Sequence, residues 1–348
     1  MAGSDGASGR GGGVTDRAAA LDAFLAAAGW ADAAREPLPA DASFRRYIRL
    51  RRGSGTAMVM DAPPPREDVR PFLAVARHLL AMGFSAPRIL AEDAAQGFLL
   101  LEDLGDATYT RELAAGADEA ALYRLATDLL IALHRLPDAT AAALPPYDDE
   151  RLLAEAALLV DWYVPAVTGE ALVDALRDEY LALWRTALAA ARAVPETLVL
   201  RDYHVDNLMV LPDRTGVAAC GLLDFQDAVI GPVAYDLVSL LEDARRDLAP
   251  NLAEAMIARY LAAFPALDPV ALRASYAVLG AQRSAKILGI FTRLCRRDGK
   301  PHYLRHIPRV WRLLEEDLRH PALAGIEAWF AQHLPPSLRR VPDAGRAA

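Results

Sequence analysis

The sequence predicts an α+β fold in two lobes, a small N-lobe built on an antiparallel sheet and a mainly helical C-lobe. Short apolar runs with alternating polarity, separated by turn residues, fill the chain before Glu102 and are typical of strands. After Gly105 the apolar residues recur at helical spacing. A strand-like run and a hairpin, between about Thr197 and Leu223, interrupt this helical part. A chain of 348 residues is long enough for two such lobes.

We expect the N-lobe to span residues 15–104, after a disordered tail of residues 1–14 that is rich in Gly and Ser. Thr15-Asp16 can cap a first helix that runs to about Ala28. The patterns that follow are a strand over Phe44–Leu50, a strand over Ala57–Met60, a helix over Pro71–Ala81 and a hairpin of Ile89–Ala91 with Phe98–Leu101.

The C-lobe is expected to span residues 105–338 and to be followed by a frayed tail, residues 339–348. Leucines from Leu122 to Leu133 share one helical face, and apolar residues from Leu172 to Leu188 share another. The pattern is helical again from Val233 to about His333.

Composition excludes several classes of protein. The net charge is −8 and the pI is about 5.4, with no basic run, so a nucleic-acid partner is not expected. Cys220 and Cys295 are too few and too far apart for a disulfide framework or a C-x-x-C metal site, and they fit a reducing compartment. No apolar run has the length of a membrane span, and no signal-peptide core is present. We therefore expect a cytoplasmic protein with neither a membrane nor an obligate protein partner.

Two short segments carry the chemistry. Asp202 and Asn207 stand five positions apart at the start of the hairpin, and Asp224 stands at its end in Asp-Phe-Gln-Asp. A protein-kinase-like fold places its catalytic base and two metal ligands around the terminal phosphate of ATP in this order. Asp202 can accept the proton of an attacking hydroxyl, and Asn207 and Asp224 offer the hard oxygens that Mg²⁺ prefers. The alternative is that all three are polar residues that serve turns.

Further segments extend the pattern beyond this hairpin. They read D-A-S-F-R-R-Y at Asp41–Tyr47, L-L-E-D-L-G at Leu100–Gly105, D-F-Q-D-A at Asp224–Ala228, G-P-V-A-Y-D-L-V-S-L-L at Gly231–Leu241 and G-I-F-T-R-L at Gly289–Leu294. Over about residues 20–335 the chain resembles the aminoglycoside phosphotransferase-like kinases. Within that family it is most similar to the anomeric kinases of N-acetylmuramate and N-acetylglucosamine in bacterial cell-wall recycling. The resemblance implies a bilobal kinase that uses ATP and Mg²⁺ to phosphorylate a small molecule.

The resemblance also implies roles for three neighbouring residues. Asp236 matches an aspartate that braces the catalytic loop through backbone N–H groups, although an N-cap role is equally compatible with its position. His204 is expected to give structural support and not to transfer a proton. Asp227 is either a solvated loop acid or an acceptor for substrate hydroxyls.

The nucleotide side departs from the usual kinase pattern. Met60 stands where a strand lysine normally grips the phosphates, and the helix Pro71–Ala81 lacks the partner glutamate. Arg45 and Arg46 are the nearest cationic substitutes, unless they simply form a solvated strand face. Because the preceding turn has no glycine, Ser43 could supply a hydroxyl to phosphate in place of a backbone cradle.

Glu102 and Leu104 lie in the extended segment at the lobe boundary. There the backbone could present N–H and C=O groups to an adenine ring, or it could be an ordinary linker.

The basic stretch Gln282–Lys300, which includes Arg283 and Lys286, suits an acceptor with an anionic group, unless it is an ordinary basic surface helix. We therefore expect ATP and an amino sugar as substrates. Open alternatives are an aminoglycoside, choline or an amino acid as the acceptor, or a nucleotide-binding pseudokinase.

Overall fold

The computed structural model describes residues 12–39, 44–140 and 143–343, without the side chains of residues 12–15 and 138. The described chain divides into two compact units. The first contains the residues up to Asp106 together with Gly221–Gln226. The second contains Ala107–Cys220 and the residues from Asp227 onwards.

The first unit is an antiparallel sheet with two helices. Its elements are α1 Gly12–Ala27, β1 Ala34–Pro37, β2 Arg46–Arg52, β3 Gly55–Asp61, α2 Arg70–Ala81, β4 Ile89–Asp93 and β5 Phe98–Glu102. The strand order is β1-β2-β3-β5-β4, with every neighbouring pair antiparallel. Helix α1 packs on the sheet, where Phe24 stacks on Phe98 at 5.6 Å between ring centroids. This confirms the predicted sheet-rich half of the α+β fold.

Three details of this unit differ from the sequence prediction. Strand β1 was not predicted, because its four residues are all exposed and carry no apolar alternation. Strand β2 begins later than the expected Phe44, which is 60% exposed, and extends to the turn at Gly53. Helix α1 begins before Thr15-Asp16 and ends one residue short of Ala28.

The segment Gly221–Gln226 joins the first unit beside helix α2. The Leu222 N–H donates to the Ser85 carbonyl at 2.9 Å. Phe225 is buried and stacks on Phe72 of α2 at 5.0 Å between ring centroids. These contacts attach the residues around Asp224 to the same unit as the sheet.

The second unit is mainly helical. Its helices are α3 Tyr109–Ala114, α4 Glu119–His134, α5 Asp149–Leu158, α6 Val164–Thr168, α7 Asp174–Ala191, α8 Tyr235–Leu241, α9 Leu252–Ala263, α10 Pro269–Asp298, α11 Ile307–Asp317 and α12 Ala324–His333. Its short strands are β6 Glu196–Val199, β7 Leu208–Val210, β8 Cys220–Leu222, which continues into the first unit, and β9 Val229–Pro232. Among the described residues no helix is both long and apolar enough to cross a membrane.

Helix α10 is the central element of this unit and packs against α5, α7, α8 and α11. It also packs against the π-helical turn Leu159–Tyr163, and its Gly289 lies against Leu158, the last residue of α5. A Cβ at Gly289 would come within 2.3 Å of the backbone carbonyl of Leu158. Close approach of the two backbones therefore requires glycine at this position.

The hairpin expected after the catalytic loop is present, because β7 pairs with β8. The strand before the loop has a partner that we did not expect. Strand β9, which was not predicted, pairs antiparallel with β6 and places Val199 opposite Val229. The second strand of the hairpin begins only after a 3₁₀ turn, Gly216–Ala219, so β8 is three residues long.

The expected frayed tail makes defined contacts at its first residues. The Arg339 guanidinium donates to the Leu334 carbonyl at 2.8 Å and pairs with Glu315 at 2.7 Å. Residues 344–348, like residues 1–11 of the expected N-terminal tail, lie outside the described residues.

Candidate active site

The loop that follows β6 has its backbone held in an unusual conformation. Arg201 has a φ of 68°, which is rare for a residue with a side chain. Both carboxylate oxygens of Asp236 accept backbone N–H groups, from Leu200 at 2.7 Å and from Arg201 at 3.0 Å. The Ser239 hydroxyl donates to the Arg201 carbonyl at 2.9 Å. Helix α8 thus holds the peptide groups on both sides of Arg201, immediately before Asp202.

Asp236 is the buried anchor of this loop. It lies in the first turn of α8, where the N-cap is Ala234, so the N-cap alternative does not apply. Burial raises the pKa of Asp236 to about 7, although the two N–H donors act in the opposite direction. The contacts are those that a loop-bracing role requires.

Asn207 closes the loop on Asp202. Its Nδ2 donates to the Asp202 carbonyl at 2.9 Å and lies 3.4 Å from His204 Nε2. The donor end of the amide is therefore turned toward the loop, which leaves Oδ1 as the acceptor for a ligand. Burial, with a smaller effect of Arg245, lowers the pKa of His204 to about 4, so its imidazole is neutral near pH 7. A neutral His204 beside the Asn207 amide fits structural support.

Asp202 is half-buried and surrounded by positive charge. Burial alone would raise the pKa of Asp202, but the positive charges of Lys286, Arg283 and Arg201 hold it below its ordinary value. The carboxylate is therefore ionised near neutral pH and able to accept a proton.

Glu155 of helix α5 links two of these cations, and sequence reasoning missed it. The Lys286 ammonium lies 3.0 Å from Glu155 Oε1, and Arg201 Nη2 donates to the same oxygen. The sequence contains one indication of its importance. Glu155 falls on the same helical face as the apolar Leu152 and Leu159, where an acidic residue is unexpected.

The remaining predicted acceptor residues lie in the same unit. Arg283 is buried on α10, and its Nη1 donates to the Glu242 carbonyl at 3.4 Å, so it is not part of a basic surface helix. Asp227 is exposed, and its backbone carbonyl lies 3.5 Å from Arg201 Nη1. The second unit thus brings together Asp202, Arg201, Asp227 and Lys286.

In the first unit, Arg45 lies beside Asp224. Its Nη2 is 3.9 Å from Asp224 Oδ1, and its Nε is 3.6 Å from Glu67. Asp224 has a φ of 57° and accepts the Gln226 side-chain amide at 2.8 Å. The Arg45 side chain is only 15% exposed, so its charge is partly desolvated next to this carboxylate.

Arg46, although adjacent in sequence, has a different environment. It is 61% exposed and pairs with the buried Asp61 at 3.1 Å. Asp61 also pairs with Arg17 at 2.6 Å. The structure therefore associates Arg45, and not Arg46, with Asp224.

The other nucleotide-side residues are placed as follows. Met60 is fully buried in β3, and α2 contains no glutamate, so the ordinary lysine–glutamate pair is absent from these two elements. The Glu102 N–H donates to the Arg88 carbonyl at 2.8 Å and is already engaged, whereas Leu104 lies half-buried just beyond β5. Ser43 lies outside the described residues.

Arg49, which we did not single out, fixes the segment after β5. This buried guanidinium lies 2.8 Å from Asp103 and 2.9 Å from Asp106. It also donates to the Gly105 carbonyl at 3.1 Å. The backbone around Leu104 is therefore held in one conformation by charge-assisted hydrogen bonds.

The expected magnesium ligands belong to different units, and each has suitable chemistry. Asn207 offers an amide oxygen and Asp224 a carboxylate, both hard donors. Within the described residues no group of three or more His, Cys, Asp or Glu side chains could hold a metal ion. The donor set thus fits an ion that takes few protein ligands and completes its shell with phosphate and water, as Mg²⁺ does.

A braced loop that carries an ionised carboxylate is the arrangement that a phosphotransferase requires of its general base. The chain belongs to the phosphotransferase enzyme family, whose model matches residues 34–272. This confirms the family and the enzyme class expected from the sequence.

Curated relatives indicate which kind of phosphotransferase the chain is most similar to. The chain is 42% identical over 360 residues to an N-acetylmuramate/N-acetylglucosamine kinase of Caulobacter vibrioides, covering 94% of this chain and 99% of the relative. It is 42% identical over 321 residues to the protein of the same name from Pseudomonas aeruginosa, covering 87% and 90%. Both relatives come from the sugar-kinase branch that the sequence motifs resemble.

Solved structures share the fold. A choline/ethanolamine kinase family protein from Mesorhizobium loti matches with a TM-score of 0.61 at 16% identity, covering 91% of this chain and 99% of that one. The streptomycin–ATP–APH(2″)-IIa ternary complex matches with a TM-score of 0.54 at 16% identity, covering 83% and 91%. The expected protein-kinase-like α+β fold is thus confirmed.

Proposed function

We propose that the chain is an ATP-dependent kinase that transfers the γ-phosphate to the anomeric hydroxyl of N-acetylmuramate, N-acetylglucosamine or both. The observation that carries this proposal is Asp202, an ionised carboxylate on a loop whose backbone is clamped by Asp236 and Ser239. Relatives that are 42% identical over nearly the whole chain and are named for these two sugars support the choice of acceptor.

Asp202 acts as the general base in this proposal. It accepts the proton of the anomeric hydroxyl as that oxygen forms a bond to the γ-phosphorus, while the bond from phosphorus to the β,γ-bridging oxygen breaks and ADP leaves. An anomeric hydroxyl is more acidic than other sugar hydroxyls, so a carboxylate is a sufficient base. The Asp236 clamp on the preceding peptide groups restricts where the Asp202 carboxylate can lie.

Arg45 is proposed to take the role of the missing strand lysine. It is the partly desolvated cation beside Asp224, and a guanidinium can bind two phosphate oxygens at once. Asn207 and Asp224 would hold Mg²⁺, which when bound neutralises charge on the phosphates. The backbone at Leu104, fixed by Arg49, is proposed to contact the adenine ring.

On the acceptor side, Lys286, Arg201 and Arg283 surround Asp202 with positive charge. This field suits a neutral sugar or one that carries a carboxylate, and it opposes a polycation such as an aminoglycoside. Asp227, exposed and next to Arg201, is proposed to accept a hydrogen bond from a sugar hydroxyl.

The experiment is an ATP-consumption assay of the purified protein with Mg²⁺ and a panel of acceptors. The panel contains N-acetylmuramate, N-acetylglucosamine, kanamycin and choline. We expect turnover with the two amino sugars and none with the two cations. Turnover with kanamycin or choline alone would reject the acceptor class, and nucleotide binding without turnover on any acceptor would indicate a pseudokinase.

An enzyme that consumes ATP acts where ATP is held, so we propose the cytoplasm as its compartment. Fractionation of cells that produce the full chain tests this, because recovery in the periplasmic fraction would contradict it.

A further inference from the structure

Glu155 is the shared partner of two cations beside the catalytic loop. Its Oε1 accepts from Lys286 at 3.0 Å and from Arg201 Nη2. Its Oε2 accepts from the Tyr147 hydroxyl and, at 3.4 Å, from Gln282 Nε2. Since both oxygens already have donors, Glu155 acts on the surrounding side chains and not directly on an acceptor.

The charges of this cluster are poorly solvated. Two cations share one carboxylate, and the exposed fractions of the three side chains are 13% for Lys286, 18% for Arg201 and 15% for Glu155. Arg283 and Asp202 add one further charge of each sign, and the positive charge of Arg283 also opposes the rise that burial causes in the pKa of Asp236 and of Glu242. In so little solvent, screening is weak, and one unit of charge alters how well the site binds an anion.

The cluster is close to the place where the acceptor must lie. Arg201 precedes Asp202 in the chain and donates to the backbone carbonyl of Asp227 at 3.5 Å. The positive charge of Lys286 also lowers the pKa of Asp202, against the effect of burial. An acceptor hydroxyl that gives its proton to Asp202 is therefore within the field of Lys286 and Arg201.

We propose that Glu155 is the specificity-determining residue that lets this site use a neutral acceptor as well as one that carries a carboxylate. It does so by neutralising part of the charge of Lys286 and Arg201 and by holding both side chains beside Asp202. The inference rests on the proposed function, because it assumes that both N-acetylglucosamine and N-acetylmuramate are substrates. Without the negative charge of Glu155, Lys286 and Arg201 would favour the anionic N-acetylmuramate over the neutral N-acetylglucosamine.

The test compares four variants by the ratio of kcat/KM for N-acetylmuramate to kcat/KM for N-acetylglucosamine. The variants are Glu155→Gln, Lys286→Met, the double variant that carries both changes, and Glu150→Gln. Because the same enzyme sample is used with both sugars, the ratio cancels any loss of folded protein and any change in chemistry common to both acceptors. The ratio therefore separates a specificity role from a merely structural one.

We expect Glu155→Gln to raise the ratio and Lys286→Met to lower it, each by roughly 3- to 10-fold, for a unit change of charge in a poorly screened site. The double variant removes one charge of each sign and should return the ratio to within about twofold of the wild type, even where Glu155→Gln alone folds poorly. Glu150 is exposed in the first turn of the same helix and serves as the control, with an unchanged ratio.

An unchanged ratio in Glu155→Gln and in Lys286→Met, with both sugars still turned over, would overturn this inference and leave the proposed function intact. If Glu155→Gln does not fold, the double variant decides. The inference is overturned if the ratio of the double variant differs from the wild-type ratio as much as the ratio of Lys286→Met does. A wild-type enzyme that phosphorylates neither sugar would instead reject the proposed function.

Discussion

Replacing Arg45 by alanine should severely impair phosphoryl transfer, whereas the same change at the adjacent Arg46 should have little effect. The two arginines are neighbours in sequence but differ in structure. Arg45 is 15% exposed and lies 3.9 Å from Asp224, while Arg46 is 61% exposed and pairs with Asp61. If Arg45 binds phosphate in place of the missing lysine, only its removal takes a positive charge away from the transferred group.

The magnitudes follow from these environments. Loss of one partly desolvated donor to developing phosphate charge costs about 2–4 kcal/mol in kcat/KM, or roughly 30- to 1,000-fold. The Arg46 guanidinium is mostly solvated, and without it the buried Asp61 keeps its contact with Arg17 at 2.6 Å. Surface pairs contribute about 0–1 kcal/mol, so the loss at Arg46 should stay below about fivefold.

The assay is steady-state kinetics at saturating amino sugar with varied ATP, together with thermal melts of both variants. We expect Arg45→Ala to lower kcat/KM for ATP with a melting temperature near that of the wild type. Equal losses for the two variants, or a larger loss for Arg46→Ala, would refute the assignment and move the phosphate-binding role elsewhere.

Three further outcomes test other parts of the site. Asp202→Asn should lower kcat by roughly 10²- to 10⁴-fold while the Kd for ATP, measured by calorimetry, changes less than about twofold, because only the proton acceptor is lost. Asp236→Ala should reduce the free energy of unfolding by about 2–4 kcal/mol in urea titrations, because two backbone N–H groups lose their acceptor, and an unaffected variant would contradict the clamp. Burial raises the pKa of Glu242 from 4.5 to about 7. Between these pH values the folded state keeps a proton that the unfolded chain releases. The protonated Glu242 therefore contributes fully to stability below pH 4.5, and this contribution is lost as the pH rises through 7. Glu242→Gln should therefore make the fall in Tm between pH 4.5 and 7 shallower, and an unchanged slope would argue against this titration.

The sequence alone was sufficient to predict the parts of the molecule that depend on local spacing. Asp202 and Asn207 stand at a fixed separation after a strand, and Asn207 is placed by its own contact with the Asp202 carbonyl. Alternating polarity predicted β2, a short apolar run predicted β3, and apolar residues at helical spacing predicted α2 and α4. These features arise from neighbouring residues, so a pattern of residue types is enough to find them.

Features that depend on distant contacts could not be predicted. Glu155 reaches Arg201 across 46 positions, and no spacing in the sequence reports that approach. Strand β9 contains Gly231 and Pro232, which disfavour strands, and it forms because β6 lies alongside it. The sequence offered Arg45 and Arg46 as equal candidates for phosphate binding. Adjacent side chains of a strand point to opposite faces, and the sequence does not show which face lies beside Asp224.

The central claim is that the anomeric hydroxyl of a 2-acetamido sugar is the group that receives phosphate. It is tested most directly by ³¹P NMR of the products formed from N-acetylglucosamine and from its 1-O-methyl glycoside, which lacks that hydroxyl. We expect an acid-labile sugar 1-phosphate from the free sugar and no phosphorylated product from the glycoside. Efficient phosphorylation of the 1-O-methyl glycoside would contradict the claim, while leaving the phosphotransferase fold unchanged.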